Sequence, residues 1–436
     1  MRRHKCLANE RRIFVSLSLS TMTIPSQGTL QRELPVSTSE TKASNSKNIS
    51  AKGYWSGVYA MTLCAFALVA SEFMPVSLLT PIAQDIAVTE GMAGQAISVS
   101  GAFAVITSLT ISSLAGNMNR KTLLLWLTGL MFLSGPIIAM APNYLIYMSG
   151  RILIGVAIGG FWSMSAASAI RLVPPEKIPK ALAIFNGGNA LATVVAAPLG
   201  SYLGAVIGWR GAFFCLAPVA LLAFVWQLRS LPAMHVEQAT VEDRNVLKLL
   251  KNPPVAFGMA AASLFFMGQF TLFTYLRPFL ETVTMVNVQT LSLILLAIGV
   301  AGFVGTVLIG KFLDRRFYST LVFIPLLMTA IAIALVAFGH QLAVVAVLLS
   351  CWGLVATAAP VGWWSWVAKT LPHNAEAGGG LMVALVQLAI GLGSTVGGLL
   401  FDAGGYQSTF FVSGGLLMLA ALLAVLTARN DATRHS

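Results

Sequence analysis

The sequence predicts an all-α membrane protein with twelve transmembrane helices in two pseudo-symmetric six-helix bundles. The composition, the number of apolar segments and the distribution of Lys and Arg all favour this class. Of 436 residues, 57% are hydrophobic and 10% are charged, and the mean hydropathy is +0.80. Soluble domains carry roughly a quarter charged residues. This composition therefore argues strongly against a soluble protein.

Twelve apolar segments follow Trp55, and a helix needs about 20 apolar residues to cross a bilayer. The longest polar connection, Arg229 to Asn252, separates the sixth segment from the seventh. Residues 1–53 are rich in Ser, Thr, Lys and Arg, a composition typical of disorder. We therefore predict a disordered cytoplasmic tail (1–53), an N-terminal six-helix bundle (54–229), a cytoplasmic linker (230–253), a C-terminal six-helix bundle (254–428) and a second cytoplasmic tail (429–436).

Lys and Arg lie on alternate connections between the segments, apart from three exceptions among 27 residues. Short cytoplasmic loops retain Lys and Arg, so this alternation predicts that both termini are cytoplasmic. It also explains most of the net charge of +12, which therefore does not indicate a nucleic-acid partner. Of the exceptions, we place Arg210 and Arg277 in loops on the other side and Arg151 inside the fourth segment.

Two charged residues lie deep inside predicted spans. By helical rise, Glu72 lies about 13 Å and Arg151 about 12 Å from the same side of the membrane. A charge at this depth is costly, so each residue is a functional candidate. A carboxyl group beside a guanidinium can load and release a proton as helices move, which points to proton coupling by Glu72 and Arg151. The alternative is that the two residues form a fixed strut between helices.

Uncharged polar and aromatic side chains inside the spans are candidates for binding a small molecule. Amides both donate and accept hydrogen bonds, which suits a ligand with ring nitrogens and hydroxyls. Aromatic rings can stack on a base or sugar face. Each of these residues could instead serve interhelical bonding or packing. The candidates are Trp162, Asn186, Asn189, Gln269, Phe273, Trp363 and Gln387.

Charged residues recur after the second and eighth segments, at an offset of 195 positions. Arg120 follows the second segment, and Asp314 and Arg315 follow the eighth. Such a repeat is expected where two six-helix units are related by an axis along the membrane normal. We predict that these three residues belong to gating loops.

No catalytic or metal-binding motif stands out in the sequence. The four cysteines are far apart, and the five histidines are scattered. Residues 305–311 have the glycine and lysine spacing of a phosphate-binding loop, but Phe312 replaces the residue that would hold magnesium, and no strand precedes the segment. We therefore expect no enzyme activity, no cofactor and no metal.

Several motifs resemble the major facilitator superfamily, specifically its proton-linked drug and metabolite efflux branch. Residues 151–159 (RILIGVAIG) are similar to the fourth-helix motif of that family, in which the Arg is implicated in proton transfer. Residues 310–316 (GKFLDRR) are similar to its gating loop. The fifth-helix antiporter motif is only partly present, since Ala197 and Ser201 stand where glycines are usual.

A closer resemblance, to bacterial purine ribonucleoside efflux pumps, covers nearly all of residues 55–428. Residues 72–81 (EFMPVSLLTP), 159–165 (GGFWSMS) and 360–363 (PVGW) carry it. The resemblance implies a monomer in the bacterial inner membrane that exports inosine or guanosine by proton antiport with alternating access. An arabinose-type sugar exporter or a small-drug exporter of the same fold is the alternative. A membrane sensor that binds without transporting is a rival from another class.

Overall fold

The computed structural model describes residues 53–115, 118–234, 246–371 and 375–435, and the predicted tail 1–53 lies almost wholly outside them. Within these ranges the chain is helical. The helices are α1 (Trp55–Ile86), α2 (Glu90–Ala115), α3 (Arg120–Ala139), α4 (Tyr144–Arg171), α5 (Ile178–Phe214), α6 (Leu216–Ser230), α7 (Pro253–Phe273), α8 (Leu276–Thr282), α9 (Val288–Phe338), α10 (Leu342–Thr370) and α11 (Ala375–His435), with short 3-10 helices at Pro175–Lys177 and Val246–Lys251.

Nine helical stretches in the described part of the chain are long and apolar enough to cross a membrane, and three of these contain 56, 51 and 54 residues. A single span needs about 20 residues, so each of the three holds two spans. Each is divided by one residue with non-helical backbone angles: Gly208 in α5, Arg316 in α9 and Gly405 in α11. Counted in this way, the described residues form twelve spans.

Glycine makes two of these breaks possible. Gly208 and Gly405 have φ of 76° and 69°, which is a left-handed conformation that side chains with a Cβ disfavour. Each lies between the last two spans of its half of the chain. We name helices α1 to α6 the first bundle and helices α7 to α11 the second bundle. In each bundle, the last two spans are therefore connected by a break at a glycine.

Helix α1 contains two prolines, Pro75 and Pro81, and remains helical through both. Proline has no backbone N–H, so the carbonyl four residues earlier loses its helical donor. The carbonyls affected are those of Ser71 and Ser77. Both residues are buried, and a buried carbonyl without a donor is destabilising by about 1–3 kcal/mol.

Arg151 of α4 satisfies the first of these carbonyls. Its Nη1 donates to the Ser71 carbonyl oxygen at 2.8 Å, and its Nη2 donates to that of Glu72 at 3.3 Å. Its Nε donates to the Ala96 carbonyl oxygen of α2 at 3.2 Å. The side chain is completely buried. Arg151 therefore ties α1 to two other helices of the first bundle.

Arg277, at the start of α8, satisfies the second carbonyl from the second bundle. Its Nη1 donates to the Ser77 carbonyl oxygen, and its Nε donates to Glu281 Oε1 at 2.8 Å. Our placement of Arg277 in a loop was wrong, because the residue lies within helix α8 and is only 6% exposed. It lies at the end of an apolar segment, where the charge pattern alone does not distinguish a loop from a buried helix end.

We predict that residues 75 and 151 are energetically coupled. Arg151→Met should destabilise the protein by about 1–3 kcal/mol because it leaves the Ser71 carbonyl without a donor. Pro75→Ala supplies a helical N–H to that carbonyl, so the arginine substitution should be milder in the Pro75→Ala background. A double-mutant cycle of unfolding free energies measures the coupling. Strictly additive effects of the two substitutions would contradict this account.

Candidate functional site

Glu72 is the centre of the candidate site, and it lies on α1 between the two carbonyls freed by proline. The residue is 5% exposed. Its Oε1 accepts a hydrogen bond at 3.2 Å from Nε2 of Gln387, which lies on α11 of the second bundle and is also buried. A titratable carboxyl group therefore contacts the opposite bundle through an amide that can both donate and accept.

Arg151 lies beside Glu72 but does not form an ion pair with its carboxylate. Among the described residues, the ion pairs join Arg210 to Asp85 and Arg277 to Glu281. Arg151 bonds instead to the backbone of α1, as described above. The structure thus brings the two residues of the predicted proton-coupling pair together, with the guanidinium held by carbonyls and the carboxylate held by an amide.

Two carboxamide oxygens among the predicted binding residues have no hydrogen-bond partner within the described part of the chain. They are Oε1 of Gln387 and Oε1 of Gln269 on α7. Buried polar atoms are normally paired, so an unpaired buried acceptor indicates a place where a donor from a ligand or water could bind. These atoms are the clearest sign of a binding function among the predicted residues.

Aromatic rings cross the bundle interface next to these amides. Phe73 of α1 stacks on Phe270 of α7 with ring centroids 5.7 Å apart. Phe270 in turn makes an edge contact with Phe273 at 5.9 Å. Phe273 is therefore connected to the bundle interface, and Gln269 lies one helical turn before it on α7. Glu72 precedes Phe73 on α1 and contacts Gln387 of α11.

The other predicted binding residues lie apart from this contact. Trp162 is partly buried and packs edge-on against Phe185 at 5.9 Å. Asn186 is exposed, and its amide donates to the Leu182 carbonyl oxygen at 3.0 Å. Asn189 is partly buried. These three residues belong to α4 and α5 of the first bundle, and the contacts of Trp162 and Asn186 described here stay within it.

Trp363 and the predicted gating residues also lie outside the contact between Glu72 and Gln387. Trp363 is 2% exposed and packs against Trp366 at 6.2 Å, so a ligand cannot reach its ring in this conformation. Asp314 and Arg315 are exposed next to the break at Arg316. The backbone N–H of Arg120 donates to the Met234 carbonyl oxygen at 2.9 Å, which ties the start of α3 to the segment after α6.

At the end of the molecule that contains the α1–α2 connection, the two bundles are joined by contacts that the sequence analysis missed. We name this the sealed end. Asp402 of α11 accepts from Thr89 Oγ1 at 2.6 Å and from the Gly91 N–H at 3.0 Å. A carboxylate of the second bundle therefore caps the N-terminus of α2 in the first, a favourable position for a negative charge. The only sequence sign of this contact is an acid at the end of an apolar segment.

Deeper in the sealed end, α2 and α11 approach closely through small residues. Ser98 Oγ donates to the Gly391 carbonyl oxygen at 2.8 Å, and Thr395 Oγ1 donates to Ser98 Oγ at 2.8 Å. Tyr275 Oη, which donates to the Ser394 carbonyl oxygen within the second bundle at 2.8 Å, also lies 3.5 Å from the Gly91 carbonyl oxygen of the first bundle. These contacts, with that of Arg277, close the bundle interface on one side of Glu72.

Comparison with known proteins gives a consistent family and two different functional names. The Transcription regulatory protein OpdE of Pseudomonas aeruginosa is 63% identical over 389 residues, covering 88% of this chain and 97% of that protein. The Purine ribonucleoside efflux pump NepI of Salmonella paratyphi B is 39% identical over 379 residues, covering 87% and 95%.

Solved structures agree on the fold. The crystal structure of a bacterial homologue of the human lysosomal transporter Spinster matches with a TM-score of 0.70 at 15% identity, covering 87% of this chain and 98% of that one. A point mutant of the nucleoside transporter NupG matches with a TM-score of 0.69 at 13% identity, covering 85% and 98%. Residues 61–394 match the Major Facilitator Superfamily. This chain belongs to the major facilitator superfamily and is a multi-pass membrane transporter, not an enzyme.

Proposed function

We propose that this transporter exports purine ribonucleosides, such as inosine and guanosine, in exchange for protons by alternating access. The observation that carries the proposal is the buried hydrogen bond between Glu72 of one bundle and Gln387 of the other. The 39% identity to a purine ribonucleoside efflux pump over most of both chains supports the choice of substrate.

Glu72 is proposed to carry the proton. Intramembrane acids that face a bundle interface serve as proton relays in many transporters. Arg151 is proposed to tune this group, because its charge is fixed beside Glu72 by bonds to backbone carbonyls. Protonation of Glu72 gives its carboxyl group an O–H donor, which can bind Oε1 of Gln387, in addition to its remaining acceptor capacity. The contact between the bundles therefore changes when the proton binds.

The nucleoside is proposed to bind where the interface holds unpaired acceptors beside aromatic rings. Oε1 of Gln269 and of Gln387 can each accept from an N–H of the purine base. Phe273 and the stacked pair Phe73 and Phe270 offer apolar faces near them. Of the remaining candidates, Trp162, Asn186 and Asn189 are partly buried or exposed, whereas the buried Trp363 would need a different conformation to contact a ligand.

We further propose that both termini are cytoplasmic, that the protein resides as a monomer in the bacterial inner membrane, and that the exposed Asp314 and Arg315 act with Arg120 in gating. The alternation of Lys and Arg along the sequence supports the orientation. In this orientation the sealed end faces away from the cytoplasm, and the structure is closed to the outside.

Sugar or small-drug export remains the alternative within the same fold. Competition among inosine, arabinose and a cationic dye for export from proteoliposomes distinguishes the three substrate classes.

A second candidate function is a membrane sensor that binds a small molecule and affects gene expression without transporting it. The observation that favours it is the 63% identity to a protein named a transcription regulatory protein. The two functions differ in one measurable respect: a sensor binds its ligand with no movement of protons across the membrane.

We predict that inosine drives proton movement in proteoliposomes containing the purified protein, and that Glu72→Gln abolishes the response. The amide keeps the size and hydrogen-bonding capacity of the carboxyl group but cannot release a proton. A pH-sensitive dye inside the vesicles measures the flux. Glu176→Gln, the same change at an exposed residue of a short helix, is the matched control and should respond as wild type does.

Inosine binding without proton movement in the wild-type protein would favour the sensor. A proton response to arabinose or to a dye, with none to inosine, would keep the antiport and refute the nucleoside substrate.

We also predict that Gln387→Leu weakens inosine binding about tenfold, because the variant removes a buried acceptor for the base N–H. Purine riboside, whose base carries no N–H, should bind the wild type and the variant equally. Isothermal titration calorimetry of the purified protein measures both affinities. Gln341→Leu, at an exposed residue before α10, is the control. Equal losses for both ligands would show that Gln387 acts through packing alone.

A further inference from the structure

Arg151 of the first bundle and Arg277 of the second each supply a hydrogen-bond donor to a carbonyl of α1. Each donates to a carbonyl that a proline four residues later has deprived of its helical donor. Arg151 belongs to the same bundle as α1 and can move with it. Arg277 belongs to the other bundle, so any motion that separates the bundles at the sealed end must break its contact with Ser77.

We propose that Arg277 is a positioning residue of the transport cycle, which holds the sealed end closed by satisfying the carbonyl that Pro81 frees. The inference rests on the proposed alternating-access cycle, but it does not depend on the identity of the substrate. While the end is sealed, Ser77 is completely buried and its carbonyl needs this donor. When the end opens, water can reach the carbonyl and replace the arginine.

The surroundings of Arg277 suit a contact that breaks and re-forms. Glu281, one turn further along α8, neutralises the guanidinium within the second bundle, with Nη2 to Oε1 at 2.8 Å. The arginine therefore keeps its counter-ion when it leaves Ser77. The carboxylate cap of Asp402 on Gly91 closes the same end. The described contacts across the sealed end are thus hydrogen bonds to backbone and hydroxyl groups, which water can replace, rather than an ion pair between the described parts of the two bundles.

A cysteine reporter tests this proposal. Val76→Cys introduces a thiol at a completely buried position of α1 that packs against the second bundle, in a chain whose four native cysteines are replaced by alanine. The rate of reaction with a water-soluble maleimide reports how often the sealed end opens. Arg277→Met should raise this rate about tenfold, the effect expected for the loss of one hydrogen bond to a charged group.

Rescue by proline replacement separates this role from a general effect of the arginine. Adding Pro81→Ala to Arg277→Met gives the Ser77 carbonyl a helical N–H and should return the labelling rate towards that of the parent. Arg210→Met is the matched control, since Arg210 lies at the same end but bonds to Asp85 and Ala141 within the first bundle. It should leave the rate unchanged.

A second reporter, Ala212→Cys in the core of the first bundle, detects unfolding. If Arg277→Met exposes both reporters, their labelling is measured again in the double variant Arg277→Met/Pro81→Ala. Restored protection of both cysteines supports the proposal, and continued labelling overturns it. Equal labelling of Arg277→Met and the parent also overturns it. The assay uses no substrate, so failure of inosine transport would leave its outcome standing.

Discussion

The organisation of the interface depends on one constraint, the loss of two hydrogen-bond donors in α1. Pro75 and Pro81 leave two buried carbonyls that the helix cannot satisfy itself. Each carbonyl receives an arginine, one from each bundle. Helix α1 is therefore bonded in two directions, and Glu72 lies on the stretch between the two attachments. Without the prolines, α1 would itself supply donors to both carbonyls, and neither would need an arginine.

This arrangement links proton binding to the contact between bundles. Glu72 is fixed on one side by the arginine that holds its own backbone carbonyl and meets Gln387 of the other bundle on the other. The oxygen of the same amide has no partner among the described residues, and we propose that the substrate binds it. Proton, substrate and bundle movement would then all act through a small set of buried polar groups. The small number of these groups suits a transporter, because the membrane interior tolerates few buried polar and charged side chains.

The sequence predicted the fold class and the burial of two charged residues, because both follow from hydropathy and charge. Glu72 and Arg151 stand out as charges within apolar segments. The sequence did not predict that the Glu72 carboxylate binds Gln387 rather than Arg151, because side-chain partners depend on how the helices are rotated relative to each other. Trp363 was a reasonable stacking candidate, yet it is packed against Trp366, and only the tertiary structure shows which face of α10 is buried.

Arg277 shows why the sealed end could not be read from the sequence. A charge at the end of an apolar segment is typical of a loop, and the burial of this residue depends on a carbonyl in another bundle. The prolines of α1 were visible and indicated bendable helices, but a proline reveals only that a donor is missing. The residue that supplies the missing donor lies two hundred positions away for Ser77 and is identified only by the fold.

The most direct test of this account is a solid-state NMR measurement of the contacts between arginine and the α1 carbonyls. The protein in liposomes would carry ¹³C at serine carbonyls and ¹⁵N in arginine side chains, and dipolar dephasing would report which carbonyls lie beside a guanidinium. We predict dephasing that falls when Ser71 is replaced by alanine and falls again when Ser77 is replaced as well. Each replacement removes the label and keeps the carbonyl. Undiminished dephasing in the doubly substituted protein would contradict the account.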